Sequence, residues 1–265
     1  EDVNSTDESE CGSLTYIEVS KNLISDVIKN FPTCSKPIEK DDKDNKDKDD
    51  KIVKDGKPKD CSDILASGRN KSGIYTIWTE ESSTTRKQLR VYCDMETDDG
   101  GWTVIQRRGK FPVQQDFYRD WESYKNGFGN MSEEFWLGNE NIRVLCREGC
   151  KIRFDLVDEK GEKGFALYQN FTLSSGNYRI NIGGYSGNFG DAMRNHNNFE
   201  FSTKDKGRTK TAQLFQGGWW YEDKRLLCHL NGVYKPGADD LVNVFWWPWR
   251  QYKNLAGVEI KVRPK

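Results

Sequence analysis

The chain has 265 residues, of which 35% are hydrophobic and 31% are charged, enough for one large domain or two small ones. Its 41 basic and 42 acidic side chains nearly cancel, so the chain has neither an electrostatic footprint for nucleic acid nor a large basic patch for anionic lipid. No apolar run approaches the ~20 residues that span a bilayer. We therefore expect no nucleic-acid partner and no membrane insertion.

Cysteines and glycosylation sequons indicate an oxidising, extracellular setting. The chain has seven cysteines, without a Cys-x-x-Cys pair or a zinc-finger spacing. Sequons for N-linked glycosylation start at Asn4, Asn70, Asn130 and Asn170. The sequence opens on a polar run and shows no signal peptide. We expect a mature secreted glycoprotein, the alternative being a cytosolic protein.

The first segment, residues 1–35, has a helical pattern that Pro32 ends. Its apolar residues repeat at spacings of three and four, with Lys21 interrupting one core position. An isolated helix of this length is marginal in water, so its apolar stripe needs a partner. The stripe consists of Leu14, Ile17, Ile24, Ile28 and Phe31.

Two cysteines, Cys11 and Cys34, flank this helical pattern. In a continuous helix with a rise of about 1.5 Å per residue they are roughly 30 Å apart. A disulfide needs Cα atoms within about 7 Å. The pattern therefore favours interchain disulfides and a disulfide-linked homo-oligomer. The alternative is a broken helix or hairpin that a bond between Cys11 and Cys34 of the same molecule closes.

The second segment, residues 36–60, consists almost wholly of lysine and aspartate. It cannot bury enough apolar area to offset the entropy of ordering, so we interpret it as a flexible charged linker. A partner could bind such a run electrostatically, but a plain spacer is the simpler interpretation.

The third segment, residues 61–265, has short strand-like runs between turns rich in Gly, Asn and Asp. Short helices are expected at 116–124 and 139–146. This pattern is typical of an α+β domain with mainly antiparallel strands, short helices and much irregular loop. The predicted strands cover residues 73–78, 89–93, 102–106 and 151–156.

Ordered motifs in this segment resemble the fibrinogen C-terminal globular domain, a family that includes ficolins, tachylectins, angiopoietins and fibrinogen itself. The resemblance covers about 205 residues and implies a recognition domain of that fold, most similar in type to ficolin- or tachylectin-like invertebrate plasma lectins. The motifs are CSDIL at Cys61–Leu65, SGIY at Ser72–Tyr75, VYCDM at Val91–Met95, DGGWTVIQRR at Asp99–Arg108, FWLGNE at Phe135–Glu140 and GGWWY at Gly217–Tyr221.

The resemblance implies a Cys61–Cys93 disulfide, beside which the Gly100-Gly101 turn lets Trp102 enter the core. Cys146 and Cys150 lie outside the usual family pattern, and a local bond across a turn at Gly149 is expected between them. Because seven is an odd number, at least one thiol is free or pairs with another molecule. Cys228 is the expected unpaired cysteine.

Lectins of this family hold calcium in an Asp-x-Asp loop after a Phe-Ser-Thr string. Here Phe201–Thr203 and Lys204 precede Asp205, but Gly207 stands where the second carboxylate belongs. Calcium favours six to eight oxygen ligands, and the neighbours Lys206 and Arg208 could instead neutralise Asp205. We expect the calcium site to be lost, and we predict no metal and no cofactor.

The sequence gives little support for an enzyme, since it has only two histidines and no nucleophile elbow, metal triad or phosphate loop. The resemblance instead favours a lectin-like binder of acetylated sugars on microbial or cell surfaces, acting in innate defence. Its pocket is altered, because the dipeptide Cys228-His229 is displaced from the family's Cys-His. The alternative is a protein-binding member that has lost calcium and sugar. The expected ligand-binding residues are Phe215, Tyr221, His229, Trp246 and Tyr252.

Overall fold

The computed structural model describes residues 57–80, 86–222 and 226–265. The predicted helix at 1–35, Cys11, Cys34 and Asn4 lie outside these residues, as does the linker up to residue 56. Residues 57–60 were assigned to the linker, but they contact the domain. The carbonyl of Pro58 accepts a hydrogen bond of 2.8 Å from the backbone N–H of Trp78. The folded domain therefore includes the residues just before Cys61.

Short helices and antiparallel strands make up the domain, as the sequence predicts. The helices are α1 (Cys61–Ala66), α2 (Trp121–Asn126), α3 (Asn139–Leu145), α4 (Thr209–Phe215) and α5 (Trp247–Arg250), with 3₁₀ turns at Thr97–Asp99 and Met193–Asn195. The strands are β1 (Gly73–Glu80), β2 (Arg86–Asp94), β3 (Trp102–Gly109), β4 (Phe128–Gly129), β5 (Phe135–Trp136), β6 (Cys150–Val157), β7 (Lys163–Leu173), β8 (Ile180–Gly187), β9 (Cys228–His229), β10 (Phe245–Trp246) and β11 (Gly257–Pro264).

One antiparallel sheet organises the domain. Its strand order is β1-β2-β3-β11-β6-β7-β8, and β5 joins β3 on one side and β4 on the other. The last strand, β11, therefore lies between β3 and β6 at the centre of the sheet. A second, two-stranded sheet is formed by β9 and β10. All four strand runs predicted from the sequence are present, each within a longer strand.

The core lies against one face of the large sheet, because successive residues of a strand point to opposite faces. The inward residues of β6 and β11 are apolar and buried, while most of the outward ones carry charge. Lys261 on the outer face of β11 pairs with Asp94 at 2.6 Å and with Asp155 at 2.8 Å. The buried inward residues are Ile152, Phe154, Leu156, Val258, Ile260 and Val262.

At the start of the domain, the predicted Cys61–Cys93 disulfide joins helix α1 to strand β2, and the two Cα atoms are 5.5 Å apart. Gly100 and Gly101 both have positive φ, at +73° and +71°. A Cβ on Gly100 would lie 2.5 Å from the carbonyl oxygen of Met95, so only glycine makes this turn without strain. The turn delivers the fully buried Trp102 to the core, as the sequence predicted.

Both predicted helices exist, but the first begins later than expected. The sequence predicted a helix over 116–124, whereas α2 begins after Asp120. The carboxylate of Asp120 accepts a hydrogen bond of 2.9 Å from the N–H of Ser123, which is the geometry of an N-cap. The helix α3 matches the expected 139–146 to within one residue. No helix of the described residues is long and apolar enough to cross a membrane.

Candidate ligand-binding surface

The end of α4 places the aromatic residues of the candidate site. Gln216 adopts a left-handed conformation and ends the helix directly after Phe215. At the next position a Cβ on Gly217 would lie 2.3 Å from the carbonyl oxygen of Asn231. The missing side chains of Gly217 and Gly218 therefore let the backbone pass close to its neighbours and turn inward, so that Tyr221 becomes fully buried.

A series of neighbouring rings links Phe215 to Tyr252 through the interior. Phe215 stacks on Tyr221 with ring centroids 5.8 Å apart, and Tyr221 lies 5.6 Å from His229. From there the series continues to Phe245 at 6.4 Å, and Phe245 contacts Tyr252 at 5.1 Å. Phe215 and Tyr252 are half-buried, whereas the three rings between them are fully buried. We call these five residues the ring series.

Four of the five predicted ligand residues thus come together. The fifth, Trp246, is buried on the opposite side of strand β10 because adjacent residues of a strand point to opposite faces. Its ring lies 5.5 Å from Phe154 of the sheet core, and its indole N–H donates to the carbonyl of Phe189 at 3.2 Å. The ring series includes the neighbouring Phe245 and not Trp246.

The centre of the ring series is held by hydrogen bonds between side chains and backbone. The hydroxyl of Tyr221 donates to the carbonyl of Gly217 at 2.7 Å. The hydroxyl oxygen of Tyr221 also lies 3.0 Å from Nε2 of His229. Because the hydroxyl already donates its own proton to Gly217, Nε2 of His229 must be protonated and donate to the hydroxyl oxygen. Burial, reinforced by the positive charge of Arg108, lowers the pKa of His229 to about 3. The ring is neutral at physiological pH and fixes the position of Tyr221.

A cavity of about 200 Å³ adjoins the ring series at Gln216, the residue after Phe215. Its lining combines amides and carboxylate with aromatic rings, so it offers polar partners beside apolar faces. Such a combination fits a small polar ligand with some apolar surface. The lining includes Gln114, Gln115, Asp116, Phe117, Gln216 and Tyr234.

The floor of this cavity is fixed by Arg108, which is 3% exposed. Its guanidinium pairs with the buried carboxylate of Glu134 at 3.0 Å. It also donates to the carbonyls of Leu230 and Gly232, at 3.1 Å and 2.8 Å. Because Glu134 neutralises the charge, Arg108 positions the backbone of the floor rather than attracting an anion.

The loop at Asp205 offers calcium a single carboxylate. One carboxylate oxygen of Asp205 already accepts hydrogen bonds from the N–H of Trp121 at 2.9 Å and from the hydroxyl of Thr203 at 2.7 Å. The ammonium group of Lys206 lies 3.9 Å above the Trp121 ring and adds positive charge. A calcium site needs six to eight oxygens, several of them anionic, so we keep the loss of calcium as a proposal.

The cysteines of the described residues pair as predicted. Besides the first bond, Cys146 and Cys150 form a disulfide with Cα atoms 5.2 Å apart. Cys228 is free and buried. Its Sγ lies 3.3 Å from the Sδ of Met193, and burial raises the pKa of the Cys228 thiol well above its usual value. Such a thiol is inert in the folded domain.

The three sequon asparagines within the described residues, Asn70, Asn130 and Asn170, have exposed side chains. Asn70 lies in the loop between α1 and β1, and Asn130 in the turn before β5. Asn170 differs because it lies within a strand, β7. All three asparagines are therefore accessible for modification.

Comparison with known proteins agrees with this architecture. Residues 57–265 match the family described as the C-terminal globular domain of the fibrinogen beta and gamma chains. Techylectin-5A of Tachypleus tridentatus is 44% identical over 221 residues, which cover 78% of this chain and 74% of that protein. Human Angiopoietin-related protein 7 is 41% identical over 220 residues, covering 78% of this chain but only 62% of that protein.

A solved structure shows the same fold. The fibrinogen-like globe domain of human ANGPTL2 superposes with a TM-score of 0.72 at 36% identity, covering 78% of this chain and 99% of that one. The protein therefore belongs to the family of C-terminal globular domains found in the fibrinogen beta and gamma chains.

Proposed function

We propose that this chain is a secreted, non-enzymatic recognition protein that binds acetylated sugars or glycans on microbial or cell surfaces in innate defence. The observation that carries this proposal is the ring series, whose half-buried end Phe215 directly precedes Gln216 in the lining of a cavity that also contains Gln114 and Gln115. The 44% identity to Techylectin-5A supports a lectin. The family to which this chain belongs supports, more generally, a recognition protein.

The chemistry of this surface suits an N-acetylated sugar. The faces of Phe215 and Tyr252 can contact sugar C–H groups and the methyl of an acetyl group, since both are apolar. Gln115 and Gln216 line the adjoining cavity, and their amides can donate to and accept from sugar hydroxyls. Two polar groups beside an apolar wall are enough to fix the orientation of such a ligand.

Tyr221 and His229 have a different role in this proposal from the one the sequence suggested. Both are fully buried, so they position Phe215 from behind and do not contact the sugar. Tyr221 stacks against Phe215 with an interplanar angle of 20°. The neutral His229 holds the Tyr221 hydroxyl. We therefore assign ligand contact to Phe215 and Tyr252, and positioning to Tyr221 and His229.

The proposal is tested on immobilised N-acetylglucosamine and on a glycan array, each with and without a calcium chelator. Phe215→Ala and Tyr252→Ala should weaken retention about tenfold, which corresponds to about 1.4 kcal/mol. Leu214→Ala is the matched control, because Leu214 is exposed on the same helix but lies outside the ring series. Chelation should change nothing. Equal retention of all three variants, or release by chelator, would contradict the proposal.

The second candidate is a protein ligand, which the calcium-poor loop at Asp205 favours. The 41% identity to Angiopoietin-related protein 7 supports the same alternative. It predicts that no glycan on the array is retained, while binding to cells is saturable and is lost when the cells are treated with protease. Binding that survives protease but is lost after glycosidase treatment would support the lectin.

We also propose that the chain forms a disulfide-linked homo-oligomer through Cys11 and Cys34. Single sites of modest affinity gain strength when several are tethered together, because the second contact becomes intramolecular. The charged linker at 36–56 would give each domain the freedom to reach its own ligand on a repetitive surface.

A further inference from the structure

The sequon at Asn170 lies in strand β7, which sets the direction of its side chains. Phe171 is buried in the core, so Asn170 and Thr172 on either side of it both point to the outer face. On the neighbouring strand β8, Asn170 lies opposite Gly183 and Thr172 lies opposite Asn181. The absence of a side chain at Gly183 leaves open space beside Asn170.

A groove of about 560 Å³ runs over this face. One side is formed by β7 and β8, and the other by the Arg147–Gly149 turn and Lys265. The Cys146–Cys150 disulfide closes the backbone around that turn and holds this wall in place. The guanidinium of Arg147 donates to the carbonyl of Glu80 at 2.8 Å, which anchors the wall to strand β1. The groove is therefore built from ordered elements.

The amide of Asn170 is oriented for modification. Its Oδ1 accepts a hydrogen bond of 2.6 Å from the ammonium group of Lys265. This hydrogen bond uses Oδ1 and does not involve Nδ2, which is the atom that glycosylation modifies. In the reaction, Nδ2 forms a bond to C1 of an oligosaccharyl diphosphate, the diphosphate leaves and one amide proton is lost. The Lys265 contact is kept in the product, because Oδ1 remains an acceptor.

We propose that Asn170 carries an N-linked glycan whose first sugars lie in the groove, between strand β8 and the Arg147–Gly149 turn. The lining is rich in groups that pair with sugar hydroxyls, including Arg147, Glu148 and Asn181. The groove volume falls within the usual range for ligand sites, roughly 300–1,000 Å³. The Cys146–Cys150 disulfide thereby gains a role in shaping a glycan seat.

The other two sequons within the described residues provide internal comparisons. Asn70 and Asn130 are exposed in loops, and neither lines this groove. The Oδ1 of Asn130 accepts from the N–H of Ser132 at 3.0 Å within its own turn. Glycans on these residues would extend into solvent. The inference rests on secretion, which is part of the proposed function, but not on the ligand of the ring series.

The experiment uses the full-length protein secreted from eukaryotic cells, with peptide mass spectrometry to measure occupancy at each sequon. The folded protein is then digested with an amidase that releases N-glycans. Release at Asn170 should be about tenfold slower than at Asn70 and Asn130, the factor that a seating free energy of about 1.4 kcal/mol produces. After denaturation the three rates should converge. An unmodified Asn170, or equal rates in the folded protein, would overturn the proposal.

Variants at Gly183 test the seat itself. A Cβ at this position meets no atom within 4 Å, so Gly183→Trp fills the groove without a clash at the backbone. It should raise the release rate at Asn170 to that of the loop sites, whereas Gly183→Ala should keep most of the protection. Thr172→Ser retains the sequon and should retain the protected glycan. Unchanged protection in Gly183→Trp would refute the seat, and sugar-column retention by the same variants reports separately on the ring series.

Discussion

A Cβ atom on Gly207 would lie 2.5 Å from the Oγ of Ser202. The same hydroxyl accepts a hydrogen bond of 3.0 Å from the N–H of Arg208, so it is not free to move away. Gly207 has φ of +75°, in the left-handed region. The backbone at Gly207, where the family resemblance implies a second carboxylate, thus fits glycine.

Gly207→Asp should therefore fail to create a calcium site. We expect it to lower the free energy of unfolding by about 1–3 kcal/mol, because the added Cβ collides with Ser202 and the backbone stays strained. Gly176→Asp is the matched control, since Gly176 has a similar φ of +81° but no atom within 4 Å of its Cβ. Urea unfolding measures the cost, and thermal melting with calcium or chelator measures binding. A calcium-dependent rise in Tm for Gly207→Asp would contradict this prediction.

Two buried histidines should make the domain less stable in mild acid. Burial lowers the pKa of His196 to about 4 and that of His229 to about 3, whereas an unfolded histidine titrates near ~6.5. As pH falls below that value the unfolded state binds protons that the folded state does not, so the free energy of unfolding falls. Each histidine should contribute a loss of about 2 kcal/mol between pH 7 and 5.

His196→Asn separates this effect from general acid sensitivity. The asparagine Nδ2, bonded to Cγ as Nδ1 of histidine is, can replace the hydrogen bond of 2.8 Å between Nδ1 of His196 and the carbonyl of Trp220. We expect the variant to lose some stability at every pH but to show a shallower slope between pH 7 and 5. Urea unfolding at several pH values measures both quantities. A slope equal to that of the wild type would show that His196 is not buried in its neutral form.

The buried ion pair under the candidate cavity should be essential to the domain. Glu134 accepts hydrogen bonds from Arg108 at 3.0 Å and from the N–H of Gln115 at 2.7 Å. Glu134→Gln leaves the guanidinium buried without its counter-charge, and we expect a loss of about 3–5 kcal/mol in the free energy of unfolding. Glu122→Gln breaks an exposed pair with Lys125 and should cost less than about 1 kcal/mol. Similar losses in the two variants would show that Arg108 reaches solvent.

The fold could be predicted because its signals are local and ordered along the sequence. The strings around Cys61, Cys93 and Gly100-Gly101 specify a disulfide, a turn and a buried tryptophan within about 40 residues. The structure contains each of them. The beginning of α2 was misplaced because its capping residue, Asp120, is one of two aspartates that could have served, the other being Asp116. Capping strength alone does not choose between them.

The site was predicted less well because exposure depends on pairing between distant strands. The sequence identified Tyr221 and His229 as a cluster but not that both are buried. Their burial follows from the pairing of β9 with β10, which sets His229 opposite Phe245. Phe245 and Trp246 are adjacent in one strand, and two adjacent residues of a strand cannot face the same side. This alternation could have shown that only one of the two side chains faces the site.

The final prediction concerns the first 60 residues. The stripe Leu14, Ile17, Ile24, Ile28 and Phe31 has apolar surface that a second copy can cover, and Cys11 and Cys34 would then lock the helices at both ends. Non-reducing electrophoresis should show covalent oligomers that reducing agent converts to monomers. Cys11→Ser with Cys34→Ser should abolish them while leaving the Cys61–Cys93 and Cys146–Cys150 bonds intact.

Cys228→Ser serves as the control for this prediction. Cys228 is the other cysteine outside those two disulfides, and it is buried, so its loss should leave the oligomers unchanged. Sedimentation of the Cys11→Ser, Cys34→Ser variant tests whether the apolar stripe associates without the covalent bonds. Monomers of the wild type under non-reducing conditions would favour a bond between Cys11 and Cys34 of the same molecule. Oligomers that disappear in Cys228→Ser would instead place the interchain contact in the globular domain, and the avidity argument for the N-terminal segment would fall with them.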